Sequence, residues 1–209
     1  KIAELIQGRV EAQSQEETDV TAEEETEKNA DFPGAPPFTV DLLDINEYSR
    51  PGIALEKING IVIHYTANPK STAKQNRDYF EGLKDSHETK ASSHFVVGIK
   101  GEIVQCIPSS EISYASNSRN SDTLSIECCH KDKSGKFTKE TYQSLVELVG
   151  WLCQRFGLTS EQVIRHYDVT GKNCPKYFVE HEDEWEQFKK DVDAQIAVVE
   201  QEVETASQQ

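Results

Sequence analysis

A short apolar run at residues 58–66, INGIVIHYT, limits how this chain can fold. Ile61, Val62 and Ile63 follow one another without polar alternation, which is typical of a strand buried on both faces of a sheet. Such a strand needs helices to cover it. The run ends at His64, and the end of a buried strand is a frequent position for the side chains of a functional site.

Further strand and helix patterns alternate along the chain. Strands are predicted at 93–99 and 102–107, joined by a turn at Lys100-Gly101, and at 123–129 and 162–165. Three helices are predicted. The first begins after a cap at Ser71 or Thr72, the second runs from about residue 142 and ends at Gly157, and the third covers 185–196. The first helix would carry on one face Ala73, Asn76, Tyr79, Phe80 and Leu83. This order predicts the α/β class: a mixed central β-sheet flanked by helices.

The charge of the 209-residue chain, formally −15, is concentrated at its two ends. Residues 1–31 carry ten acidic and three basic side chains, and residues 180–209 carry ten and two. We therefore expect an acidic N-terminal segment and linker at 1–37, with a helical stub at 1–10, because such a composition does not bury enough apolar surface to fold. One folded domain is expected at 38–196 and a polar tail at 197–209.

Composition also excludes some classes of function. A nucleic-acid partner is not expected, because no basic stripe is present to replace counterions. No apolar run of eighteen residues is present, so no membrane span is expected. The sequence contains no Met, and we expect it to be a fragment whose original N-terminus, with a signal or an anchor, was removed. We expect a monomer.

The five cysteines are an odd number, which does not favour a framework of disulfides. Cys128 and Cys129 are neighbours on a predicted strand, so their side chains should point to opposite faces. Most of the five are expected to be small core residues. The odd count leaves at least one thiol for another role.

Two histidines and one cysteine could form a metal site. His64 and His166 each end a predicted strand, and Cys174 follows in a loop, HYDVTGKNCP, that can fold back. Two imidazoles and a thiolate, with a fourth position left to water, match an open catalytic zinc site with one ion per chain. For each histidine taken alone, a structural role is the more frequent alternative.

Two charged residues could complete such a site. Glu127 lies inside the strand pattern LSIECCH and shares a face with Ser125, so it is either a solvent-facing residue or a general base beside the metal. Lys172 is the nearest obvious cation to the predicted metal. It is either an ordinary loop lysine or a group that stabilises negative charge on a tetrahedral intermediate.

Four motifs in order, IVIHYTA, ASSHFVVGIKGEIVQ, LSIE and RHYDVTGKNCP, resemble the zinc-dependent N-acetylmuramoyl-L-alanine amidases of type 2. These are related to peptidoglycan recognition proteins and to phage lysozyme-like amidases. The resemblance covers roughly residues 55–190. It implies a peptidoglycan-recognition-protein-like amidase fold, and cleavage of the amide bond between N-acetylmuramic acid and L-Ala. It also implies zinc ligation by His64, His166 and Cys174, with Glu127 and Lys172 as catalytic residues.

The resemblance also indicates which residues could contact the substrate. His94 matches a position that is often His, for which a substrate-binding and a structural role are equally open, and Tyr65 and Thr66 are expected to contact substrate. The stretch Tyr114–Asn117 departs from a Trp-His-Ala-Gly-like pattern, which puts substrate contacts in doubt more than metal binding. The implied partner is peptidoglycan and the implied location extracellular or in the cell wall, for a secreted autolysin-like hydrolase.

Other readings of the same residues remain. A non-enzymatic peptidoglycan-binding module could have this fold, although such relatives typically lack one of the ligands. A zinc endopeptidase that cuts within the stem peptide, and a structural protein with coincidental His and Cys residues, are further alternatives.

Overall fold

The structure, a computed structural model, describes residues 32–208 as a sheet with helices on both faces. The strands are β1 (Thr39–Val40), β2 (Gly60–Tyr65), β3 (Phe95–Val97), β4 (Ile103–Gln105), β5 (Thr123–Cys128) and β6 (Val163–Arg165). The helices are α1 (Ala73–Ser86), α2 (Lys139–Phe156), α3 (His166–Thr170), α4 (Lys176–Glu180) and α5 (Glu182–Ser207). The helical stub predicted at 1–10 and the acidic segment up to residue 31 lie outside the described residues.

The sheet is mixed, with the strand order β1-β4-β3-β5-β2-β6. The central strands β3, β5, β2 and β6 run parallel to one another, and β4 is antiparallel to β3. The predicted class, a mixed sheet flanked by helices, is confirmed. The predicted hairpin is also confirmed: Gly101 has a φ of 86° and donates its amide to the Gly98 carbonyl.

The alternation of strand side chains divides the interior into two clusters. On one face Ile63, Phe95 and Ile126 pack against α2 and α5 in the larger cluster. On the other face Val96 packs against α1 in a smaller cluster. Cys128 lies in the first cluster and Cys129 in the second, so the prediction that they point apart is confirmed. All five cysteines are buried and free.

Helix ends follow local sequence signals. Thr72 accepts a hydrogen bond from the Gln75 amide in a capping box that begins α1, and Gly157, at a φ of 66°, ends α2 as predicted. The prediction for Tyr79 is wrong: it is 47% exposed, because the buried face of α1 is narrower and is formed by Ala73, Phe80 and Leu83.

Helix α5 continues beyond residue 196, where the sequence predicts the start of a polar tail. Val199 is buried against the larger cluster, which explains why the helix does not stop there. The division into domains at 38–196 stays a prediction. Among residues 32–208, none of the helices has the length and apolar content that a bilayer crossing requires.

The contact between α2 and α5 depends on a glycine. A Cβ atom added at Gly150 would lie 2.5 Å from Cγ and 2.8 Å from Cβ of Gln195. We expect Gly150→Ala to lower the free energy of unfolding by about 1 kcal/mol, because overpacking outweighs the gain in helix propensity. Gly82→Ala in α1 is the matched control, since nothing lies within 4 Å of its added Cβ; it should stabilise the protein by about 0.5–1 kcal/mol. Urea unfolding measures both changes, and shifts of the same sign would contradict this account.

Candidate metal centre

Three neighbouring parallel strands bring the predicted site residues to one edge of the sheet. In β2, His64 is paired with Glu127 of β5. Ile63 is paired with Arg165 at the end of β6, so the next residue, His166, lies beside His64. The two imidazole rings are 4.6 Å apart between centroids. The carboxyl ends of parallel strands meet at one edge, which is why residues distant in sequence converge here.

The loop after α3 adds the third group. Helix α3 ends at Gly171, which has a φ of 79°, and the chain folds back so that the Tyr167 amide donates to the Cys174 carbonyl. One ligand atom each from His64, His166 and Cys174 lies within 4.8 Å of the others, and all three residues are buried. At the N-terminus of α3, the Asp168 carboxylate accepts from the backbone amide and the guanidinium of Arg165, the residue before the helix, which fixes the backbone that carries His166.

The orientation of these groups fits a divalent cation. The Nδ1 atom of His64 lies 3.9 Å from the Cys174 sulfur, and Nδ1 of His166 is buried without a hydrogen-bond partner. Tetrahedral zinc with its usual bond lengths separates a nitrogen and a sulfur ligand by about 3.6 Å. A buried polar atom without a partner is costly, and a cation bound between these three groups would remove that cost.

Burial changes the pKa of His64 and of Cys174 in opposite directions. Burial lowers the pKa of His64 well below its usual value, with further lowering by His166 and Lys172. Burial also raises the pKa of the Cys174 thiol to about 12. Neutral imidazoles are the form that binds a metal, and a bound divalent cation is the charge that would convert the thiol to a thiolate.

Glu127 lies beside this group with a free carboxylate oxygen. Its Oε2 atom is inaccessible to solvent and has no hydrogen-bond partner. Burial raises the pKa of the Glu127 carboxyl to about 8, although the positive charge of Lys172 acts in the opposite direction. A carboxyl group with a pKa near neutrality can both take up and release a proton.

Lys172 is exposed on the loop between His166 and Cys174. Its charge lowers the pKa of both histidines and of the Cys174 thiol, so its ammonium group lies within electrostatic reach of the whole cluster. The loop therefore brings an exposed positive charge close to a group of residues that are not exposed.

The structure places His94 inside the fold. It is fully buried; its Nδ1 accepts from the Ser125 amide at 3.0 Å, and its Nε2 lies 2.8 Å from the Glu111 carbonyl. Burial lowers the pKa of this ring to about 4. Both ring nitrogens have partners within the protein, so its contacts favour the structural one of its two predicted roles.

The other two predicted substrate-side residues lie at the end of β2. Tyr65 points to the face opposite His64, packs against the larger core cluster and has its ring centroid 5.1 Å from that of His130. Thr66 is partly exposed and donates its amide to the Cys128 carbonyl. Contact of these residues with substrate stays a prediction.

Ser116 and Asn117, which no sequence motif marks as site residues, contact the histidine rings. Ser116 Oγ lies 3.1 Å from Nε2 of His64, and Asn117 Oδ1 lies 2.8 Å from Nε2 of His166. Both belong to the stretch whose departure from the related pattern was expected to affect substrate contacts. The unusual sequence of this stretch was the one signal that pointed to these residues. Their contacts are with the two histidines of the candidate metal centre, whereas an effect on substrate contacts was expected.

The fold and this site define an α/β protein in which two histidines and a cysteine, grouped at the carboxyl ends of parallel strands, could hold a metal ion. The sequence profile of a family described as N-acetylmuramoyl-L-alanine amidase matches residues 54–177. The chain belongs to this family.

Individual relatives agree with this assignment. The chain is 38% identical over 166 residues to the N-acetylmuramoyl-L-alanine amidase CwlL of Bacillus licheniformis, a match that covers 73% of the chain and 46% of CwlL. It is 31% identical over 181 residues to BlyA of Bacillus subtilis strain 168, covering 77% of the chain and 48% of BlyA. The chain thus spans about half the length of these curated relatives.

A solved structure supports the fold. The structure of PlyL superposes with a TM-score of 0.65 at 22% identity, covering 75% of this chain and 97% of PlyL. The predicted amidase-type fold is therefore confirmed over most of the chain.

Proposed function

We propose that this chain is the catalytic domain of a peptidoglycan hydrolase that cleaves the amide bond between N-acetylmuramic acid and the L-Ala of the stem peptide. The proposal rests on one observation: the ligand atoms of His64, His166 and Cys174 lie within 4.8 Å of one another, next to the unpartnered carboxylate of Glu127. Membership of the amidase family and the similarity to CwlL support this substrate and this bond.

His64, His166 and Cys174 are the residues that would hold the metal, which we propose to be one zinc ion. A mixed nitrogen and sulfur donor set with three protein ligands suits zinc. When bound, zinc supplies Lewis-acid chemistry, because it polarises a carbonyl group and lowers the pKa of water.

Glu127 moves the proton in this proposal. Its carboxylate takes a proton from the water molecule as the water attacks the carbonyl carbon of the scissile amide. The same carboxyl group then donates that proton to the nitrogen of L-Ala, so the amine leaves in neutral form. Burial raises the pKa of this carboxyl, which favours the protonated form that donates to the leaving nitrogen.

Lys172 stabilises negative charge in the transition state. When water adds to the carbonyl carbon, charge develops on the carbonyl oxygen, and a nearby ammonium group lowers the energy of that arrangement. The electrostatic effect of Lys172 on Glu127 and on the three ligand residues supports a location close enough for this role.

The remaining elements of the proposal concern biological setting. A peptidoglycan substrate implies action outside the cell or in the cell wall, as a secreted autolysin or as a phage enzyme. We propose a monomer. Thr66, which is partly exposed directly after β2, is the proposed substrate contact beside the site.

Digestion of defined cell walls tests the proposal. Purified protein loaded with zinc is incubated with peptidoglycan, and mass spectrometry identifies the products. We expect new L-Ala amino termini and peptide-free N-acetylmuramic acid. Amino termini from within the stem peptide would indicate an endopeptidase instead, and binding without any new termini would indicate a non-enzymatic module. Either result contradicts the proposed function.

A further inference from the structure

A single turn of the chain contacts both histidines of the candidate metal centre, on the side away from Cys174. Ser116 Oγ is 3.1 Å from Nε2 of His64, and Asn117 Oδ1 is 2.8 Å from Nε2 of His166. The two contacts join residues 52 and 49 positions apart in the sequence. Adjacent residues of one loop thus engage the corresponding nitrogen of each ring.

The contact with Asn117 selects one tautomer of His166. The Asn117 oxygen is an acceptor only, so Nε2 of His166 must carry the proton that it donates. Nδ1 of that ring then carries the lone pair, and this is the atom that is buried without a partner. The Ser116 hydroxyl can accept as well as donate, so its contact is compatible with the same form of His64, in which Nε2 donates to Ser116 and the lone pair of Nδ1 faces the Cys174 sulfur, 3.9 Å away.

The turn is itself held in place. The Asn120 side-chain oxygen accepts from the amides of Ala115 and Ser116, at 3.1 and 2.6 Å. Ser116 is buried, and Asn117 adopts a left-handed backbone with a φ of 53°, which Asn tolerates better than most residues. Asn120 therefore holds the backbone from which both outer partners project.

We propose that Ser116 and Asn117 are positioning residues that hold His64 and His166 in the Nε2-protonated form, with both Nδ1 lone pairs directed at the cation. The inference rests on the metal centre of the proposed function and extends it to the residues behind the ligands. Outer hydrogen bonds of this kind orient metal-binding imidazoles and increase their basicity.

The test measures zinc affinity and the tautomers separately from activity. In Asn117→Gly, the side chain is lost while glycine keeps the positive φ. We expect zinc affinity, measured by competition with a chelator, to fall about 10- to 100-fold in Asn117→Gly and in Ser116→Ala. In the metal-free protein, long-range 15N–1H NMR spectra should show His166 protonated at Nε2, and Asn117→Gly should produce a mixture of tautomers. Asn117→Asp keeps an acceptor oxygen and should restore the single tautomer.

Ser160→Ala is the matched control, because Ser160 is also a buried serine whose hydroxyl bonds a side chain, Asp193, at 2.8 Å. It should leave zinc affinity unchanged. Unchanged affinity and unchanged tautomers in both Ser116→Ala and Asn117→Gly would overturn the positioning role while leaving the proposed function intact. Failure of the unsubstituted protein to bind zinc would instead overturn the metal centre, and this inference with it.

Discussion

Replacement of Cys174 by Ser is expected to abolish zinc binding. A serine hydroxyl does not ionise near neutral pH and is a poor zinc ligand, whereas a cation favours the thiolate of cysteine. The two remaining imidazoles would leave the ion with only half of a tetrahedral set. Protein purified with zinc and passed through gel filtration should contain no stoichiometric metal by elemental analysis. A stoichiometric zinc content would remove Cys174 from the ligand set.

Cys153→Ser separates the loss of a ligand from damage to the fold. Cys153 is fully buried on α2, with its sulfur 3.9 Å from the Thr159 carbonyl, and is not among the clustered ligand residues. The same chemical exchange there should lower stability and leave zinc content intact. Loss of zinc in both variants would mean that unfolding, and not ligation, explains the result for Cys174.

The convergence of the two histidines could be predicted from the sequence because it depends on local patterns. Apolar runs identify β2 and β6 as buried strands, and His64 and His166 stand where those runs end. Strand alternation also predicts that Glu127 shares a face with Ser125. Each step uses a period or a strand end, which a single sequence reveals.

The outer partners of the ligands could not be predicted in the same way. Ser116 and Asn117 lie in a loop without periodicity, and their contacts with the histidines depend on where that loop passes over the sheet. The sequence around His94 likewise does not show whether this residue binds substrate or has a structural role. The structure places its Nε2 atom against the Glu111 carbonyl. Tertiary contacts, not the local sequence, decide both cases.

Strand alternation could also have predicted that His64 and Tyr65 point to opposite faces of the sheet. Tyr65 follows His64 directly in β2, so its side chain must point to the other face of the sheet, where it packs near His130. The end of α5 is the opposite case. Its composition is polar, yet the single buried residue Val199 continues the helix beyond the predicted boundary.

Replacement of Glu127 by Ala is expected to leave zinc bound and to reduce turnover by about two to four orders of magnitude, the usual effect of losing a general acid–base group. Glu127 is not needed to hold the ion in our proposal, so metal content and activity should separate. The assay follows the release of L-Ala amino termini from defined walls. Turnover within tenfold of the unsubstituted protein would remove Glu127 from its catalytic role.

Two further variants determine why activity falls. Glu127→Gln preserves the shape of the side chain but not its ability to accept a proton, so it should be nearly as inactive as Glu127→Ala if proton transfer is the role. Full activity in Glu127→Gln would show that shape and not charge matters. Glu186→Ala removes an exposed carboxylate that bonds Lys189 on α5, away from the site, and should leave turnover unchanged. The distinction matters because, in our proposal, a chain that keeps the three metal ligands but lacks the Glu127 carboxylate would bind zinc without hydrolysing the amide.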